Sequence, residues 1–459
     1  MNDDPDSLPS EYTTTQRNDR ARSEIVRRSK HVRHADWESA GDILHKFNHA
    51  IPKTIRFNTW HSGRCGLSDY WLRRQQTPNL ELFIFKTRQL AHILRRIKLD
   101  RVRIICICLV TEIDSCNLDI QKLLKSLSHI PAKMLSYFRI DLCSILFTRG
   151  ALKNLRNVEI QNLSVTRSLI LKSSTDLFAK RHQLQSLNLS GNHLNSDEAK
   201  KIAHSICWPN LQSLDLSFNC IGDEGAKHFG QNATWSMLET LILSHNEIGP
   251  AGAKYLSQNS HWKNLKSLQL NNNNILSKGT RYLCESEKWL NLEDLNLAYN
   301  MLGAAGVECI SKNKSWSNIQ NFTLTGNDIG DEGVRFLAQC ERWKNLQGLF
   351  LDSNSIGVAG AKYLAEATHW SKLQQLNLSK NRIGTEGAIY LAQNKSWIKL
   401  DTLLLEDNNI DQKGFMHLAT NKYWNDLKFL DVRGNNITCS EIQCMRENPI
   451  WGFQLMILY

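Results

Sequence analysis

A chain of 459 residues with 41% hydrophobic and 22% charged side chains has the make-up of a globular protein able to bury a large core, which excludes a fibrous or wholly disordered polypeptide. Its formal charge of +11 is unevenly spread: residues 1–183 hold 31 Lys and Arg against 18 Asp and Glu, net +13, and the rest hold 25 against 27, net −2. The basicity belongs to the first third, and any polyanion-binding role would belong there with it.

In chain order, Met1 to Thr15 is rich in Asp, Ser, Thr and Pro without apolar periodicity and is expected to be disordered. No apolar h-region follows Met1, and Asp3, Asp4 and Asp6 have the wrong charge for a signal-peptide n-region, so classical secretion is not expected. Arg17, Arg20, Arg22, Arg27, Arg28, Lys30 and Arg33 complete a basic leader over residues 1–35. It reads either as a solvated segment or as an arm for phosphates, an acidic membrane or an acidic protein.

Residues 36–183 carry short apolar stretches at uneven spacing: Leu80, Leu82 and Ile84; Val102 and Ile104; Leu135, Phe138 and Ile140; Leu155, Val158 and Ile160. They read as an irregular extension or cap of the array that follows, with a separate small basic domain ending near Gly150 as the alternative. The apolar run Ile104 to Val110 falls far short of the roughly 18 residues of a membrane span and reads as a buried parallel strand. Cys106, Cys108 and Cys116 lack paired C-x-x-C spacing or a suitable His, so no metal is expected. The twelve scattered cysteines point to a reducing, cytoplasmic setting.

From Leu184 to Tyr459 the chain repeats itself. Leu184, Leu211, Leu238, Leu265, Leu292, Ile319, Leu346, Leu373, Leu400 and Leu427 open ten units, each 27 residues after the last. Inside a unit, L-x-x-L-x-L-x-x-N-x-I/L, as at Leu211, Leu214, Leu216, Asn219 and Ile221, has the two-residue period of a strand. Gly225, Ala226 and Phe229 then supply one helix face. Trp208 and its equivalents to Trp451 close the units and are expected in the core, and the Asn192-to-Asn435 column is expected to satisfy turn peptides. The sequons at Asn232 and Asn394 read as by-products of the repeat. Pro449, then Phe453, Leu455, Ile457 and Leu458, suggest a last abbreviated strand whose edge could be sticky.

These units resemble leucine-rich repeats, and Gly222-Asp-Glu-Gly-Ala-Lys227 is similar to the ribonuclease-inhibitor-like subfamily. The resemblance implies an α/β solenoid, a horseshoe with a parallel concave sheet and convex helices, across residues 184–459. The near-identical units with Asn-x-x-Trp also resemble expanded leucine-rich-repeat families of intracellular bacteria and some protists, which implies an effector delivered into a host cell by a non-classical route. Within the subfamily there is also a GTPase-activating protein, an alternative role by fold analogy.

In each strand the residues between the second and third leucines, and just after the third, face the concave side. Most are small or polar. Phe350 and Leu404 depart from this two units apart, with Asp352, Glu406, Asp407, Asp431 and Arg433 around them, a pattern of apolar anchors in a charged rim. Phe218 and Tyr299, one step further along their strands, extend the candidate surface; the bland reading is that solenoid surfaces tolerate lone apolar residues. No Gly-x-Ser-x-Gly, H-E-x-x-H or Walker loop stands in its context, so neither catalysis nor a cofactor is expected. The sequence therefore points to a non-catalytic scaffold for a folded protein partner, with nucleic-acid or anionic-surface binding through the basic first third as the alternative.

Overall fold

In the computed structural model the described residues are 161–166, 183–204, 208–438 and 455–459 with their side chains, and six earlier or intervening strands by backbone alone. Residues 54–459 form one compact unit, to which residues 1–53 do not belong. The latter, including the basic leader and its expected disorder, lie outside the described residues.

Backbone hydrogen bonds pair one strand with the next while the leucines turn to the core, and sixteen strands join in a single sheet in chain order. It begins with Ile55–Asn58, Leu80–Ile84, Ile105–Val110, Tyr137–Asp141 and Asn162–Thr166. Ten three-residue strands follow, from Ser186–Asn188 to Phe429–Asp431, and Met456–Leu458 ends it. The irregular stretch and the regular repeats thus share one parallel sheet, Asn162–Thr166 pairing with Ser186–Asn188. The stretch Leu155 to Ile160 lies outside the described residues. Within the array each residue pairs with the one 27 further on, as Leu214 with Leu241.

The leucines go inward: Leu211, Leu214 and Leu216 are fully buried, as are their equivalents in every later unit to Leu405. Nine described helices of eight to ten residues, too short to persist alone, cover the other side of this core. Each is held by one face: Gly225, Ala226 and Phe229 in Gly222–Gly230, and Gly252, Ala253, Leu256 and Ser257 in Pro250–Ser257. At Gly252 an added Cβ would lie 2.6 Å from Asp223 Oδ1 and 2.7 Å from Ile248 Cγ2, so the close approach requires glycine.

That aspartate explains the G-D-E-G motif. Asp223 Oδ1 accepts the backbone N–H of Gly249 (2.6 Å) and Gly252 (2.8 Å), capping the helix of the following repeat, and Asp331 does the same for Gly357 (2.6 Å) and Gly360 (2.9 Å). The first regular helix caps itself through a box of Asn195 and Glu198.

The tryptophan column is core. Trp208 to Trp424, nine residues, are the largest fully buried side chains, and neighbours stack, as Trp289 on Trp316 at 6.5 Å and 2°. Before them runs a second amide row: Asn394 Oδ1 takes the N–H of Ser396 and Trp397, and its Nδ2 donates to the Ala365 carbonyl at 2.9 Å. Asn232 and Asn394 are therefore buried and engaged, which closes both sequons to a glycan.

The main asparagine column is a ladder that runs through the array, broken on the acceptor side at Asn246, whose buried Oδ1 has no partner. Asn354 Oδ1 accepts the N–H of Asn327 (2.9 Å) and Ile329 (3.4 Å) from the preceding repeat. Its Nδ2 donates to the carbonyls of Leu324, Leu351 and Asp352. Asn354→Ala would leave these buried groups unpaired and should cost about 2–4 kcal/mol. Asn354→Asp, which turns an oxygen toward three carbonyl oxygens, should cost more, the two being ranked by urea unfolding followed by far-ultraviolet circular dichroism.

Candidate functional site

Most of the ten regular strands present one buried leucine between two partly exposed residues, so the solvent side of the sheet is written by the positions flanking it. Register sets Thr323, Phe350, Asn377, Leu404 and Asp431 side by side. Phe350 and Leu404 therefore flank Asn377, about 10 Å apart at about 4.8 Å per strand. The Phe350 ring lies back over Gly348, where an added Cβ would come within 3.0 Å of Phe350 Cε2. Glycine makes room for a ring that lies against the sheet.

The charges around this pair are engaged. Asp352 Oδ1 accepts Thr325 Oγ1 at 2.8 Å and Asn377 Nδ2 at 2.9 Å. Burial pushes its carboxyl above the usual Asp range, partly offset by the Thr325 hydrogen bond. Asp431, expected in an exposed rim, is instead only 4% exposed and held by Arg433, whose Nε reaches Oδ1 at 2.9 Å and whose Nη2 reaches Oδ2 at 2.5 Å. Arg433 also reaches Glu406 at 3.5 Å. Asp431 thus fixes Arg433, and the groups left to meet a ligand are Arg433, Glu406 and Asp407.

Phe218 and Tyr299 stand elsewhere. They are not on strands: both occupy the turn after the strand with φ of +55° and +53°, in the second and fifth repeats, whereas Phe350 belongs to the seventh. Their column, 27 residues apart, includes Gly191, His245, Asn272, Gly326, Ser353, Lys380, Asp407 and Gly434, all at positive φ. The backbone is pinned there because each N–H donates into the next repeat, Phe218 to the Ser244 carbonyl and Tyr299 to that of Thr325. Phe218 stacks on His245 at 4.1 Å and 14°, and Tyr299 covers Gly326. Burial lowers the His245 pKa, so the imidazole against Phe218 favours its neutral form. The recurrence of glycine at Gly191, Gly326 and Gly434 was the sequence signal for this turn. Met301 and Leu276, also exposed on this margin, carried no signal of their own.

No group of His, Cys, Asp and Glu with metal-holding geometry occurs among the described residues. Nor is any described helix long and apolar enough to cross a membrane.

Leucine-rich-repeat families match residues 183–205, 209–230, 236–257, 290–311, 318–338 and 371–392, in step with the strand and helix of each unit. The chain is a leucine-rich-repeat protein. Among solved structures, this leucine-rich-repeat chain is similar to an internalin of Listeria monocytogenes, at 15% identity over 81% of this chain and 93% of the internalin, TM-score 0.49. It is also similar to a leucine-rich-repeat protein of Leptospira interrogans, at 18% identity over 85% and 98%, TM-score 0.47. No curated protein matches it in sequence.

Because burial raises the folded-state pKa of Asp352, its ionised form opposes folding: that contribution favours the fold below the unfolded pKa and is lost as pH rises through the folded one. Asp352→Asn, which keeps an acceptor for Thr325 and Asn377, should be at least as stable as the parent at neutral pH. The advantage should vanish below the ordinary carboxylate range, as chemical unfolding at several pH values would show.

Proposed function

We propose that this protein is a non-catalytic scaffold that binds a folded protein partner on the concave face of its sheet. The observation that carries this reading is the pair Phe350 and Leu404, half-exposed on either side of Asn377 in a sheet faced mostly by small and polar residues, with Ile242 a further half-exposed aliphatic in the same column. Apolar anchors at fixed spacing beside Glu406 and Arg433 suit a hot spot bordered by polar contacts. The strands beneath are locked by the asparagine ladder, so binding would order little and lose little entropy.

Cys220, Cys284, Cys309 and Cys340 are free, in keeping with a reducing compartment such as the cytoplasm. Action as an effector inside a host cell, and membership of the ribonuclease-inhibitor-like subfamily, are the finer roles that the repeat pattern supports. Phosphate binding by the basic first third is the second reading, supported by the net charge of +13 over residues 1–183.

The test is affinity capture from nuclease-treated lysate with three proteins: the full chain, Phe350→Ala/Leu404→Ala, and a deletion of residues 1–35. A discrete protein should be retained by the full chain and the deletion, and reduced at least about tenfold by the double variant, the loss of two anchors of about 1 kcal/mol or more each. Far-ultraviolet spectra should match throughout. Equal recovery by the double variant would remove this patch, while loss on deleting the leader would move function to the basic segment.

A further inference from the structure

The margin of the sheet carries the same small constellation twice. Phe218, 60% exposed, lies on His245, and two residues beyond His245 the exposed Glu247 stands at φ +57°. Three repeats on, Tyr299, 50% exposed, lies over Gly326, and two residues beyond it the exposed Asp328 stands at φ +52°. Each joins a well-exposed aromatic ring to an exposed acidic residue in the corresponding turn of the next repeat.

The charge around them is one-sided. From the strand through this turn, the second to seventh repeats (213–220, 240–247, 267–274, 294–301, 321–328 and 348–355) contain Asp215, Glu247, Asp294, Asp328 and Asp352 and no Lys or Arg. Cations return only with Lys380 and Arg382. In a chain of formal charge +11 this face is acidic, which disfavours nucleic acid and anionic lipid. Exposed aromatic faces and carboxylates share one complement, a cationic side chain, attracted by the ring quadrupole and by the acid together.

Spacing narrows the partner. Three strand steps of about 4.8 Å place the two constellations about 14 Å apart. An extended segment rising about 3.3 Å per residue presents side chains i and i+4 on one face about 13 Å apart. We infer that the margin formed by Phe218, Glu247, Tyr299 and Asp328 receives an extended segment of a protein partner through two Lys or Arg side chains four residues apart. The inference rests on the reading of this solenoid as a protein-binding scaffold and names the partner's chemistry at a part of it remote from Phe350.

The probe is a nine-residue Ser/Gly peptide with Arg at positions 3 and 7, titrated by calorimetry against the full chain at low salt. Its controls are an isomer with Arg at 3 and 6, which face opposite sides, and a version with Glu at 3 and 7. The 3,7 peptide should bind several-fold more tightly than the isomer, and the Glu peptide should not bind. Phe218→Ala and Tyr299→Ala should each weaken binding about two- to fivefold, a cation–π contribution. Glu247→Gln/Asp328→Asn should weaken it about tenfold and flatten its salt dependence. Absent binding, equal affinity for the two spacings, or indifference to the ring or carboxylate substitutions would overturn the inference. Phe350→Ala/Leu404→Ala should leave peptide binding unchanged. If the peptide fails while that variant still loses a captured protein, the basic segment is wrong and the scaffold reading stands. If both fail, both fall.

Discussion

Everything in this molecule depends on the buried asparagine that follows each strand. In its full form the carboxamide takes two backbone N–H groups from the preceding repeat and gives its own N–H groups to carbonyls of both, as Asn219 does with Asn192, Leu194, Leu189, Leu216 and Ser217, whereas Asn246 keeps only the donor half. At a net contribution of about 1 kcal/mol per hydrogen bond the ladder is useful, but the penalty for leaving such buried groups unpaired is what makes it obligatory. A shift of one residue would break several bonds at each step. That is a sufficient physical reason for ten units in succession with no insertion, and for strands that lie in strict register.

The other columns add area to this frame more than specificity. The indole N–H of Trp289 and of Trp316 has no acceptor, whereas Trp343 donates to the Trp316 carbonyl at 3.0 Å. What the column has in common is therefore the buried ring and not a hydrogen bond. The neighbouring amide row points the same way. It is interrupted at Ser286, Cys340 and Ala367, yet Trp289, Trp343 and Trp370 remain buried three residues on. A missing amide is tolerated where the ring still fills its place.

Much of this was legible in the sequence because it is periodic. The leucine, asparagine and tryptophan columns predicted strand, turn and core, and the structure places them so. What escaped depends on geometry that a column of letters does not display. Phe218 and Tyr299 read as strand residues by counting, but the backbone has already entered the left-handed region, a conformation that costs a non-glycine residue roughly 1–2 kcal/mol. Asp431 read as part of a charged rim because its strand position faces the concave side, while the tenth-repeat Arg433 folds over it. Nor does the G-D-E-G motif by itself show that its Asp223 caps the helix of the next repeat. In each case the deciding contact lies one repeat or one turn away.

The division of labour between these positions bears on how such a surface can carry function. The ladder, the leucines and the tryptophans leave no freedom inside a unit, so variation is confined to the residues flanking the buried strand leucine and to the turn that follows. A bulky residue in that turn pays for its place in strain and in exposed apolar area, and neither is recovered within the chain: the Phe218 ring stays 60% exposed even with His245 beneath it. Gly191, Gly326 and Gly434 show that the same turn closes without a side chain. The turn itself therefore does not require an aromatic ring, and the positions that carry one are where the repeat leaves its surface free to vary.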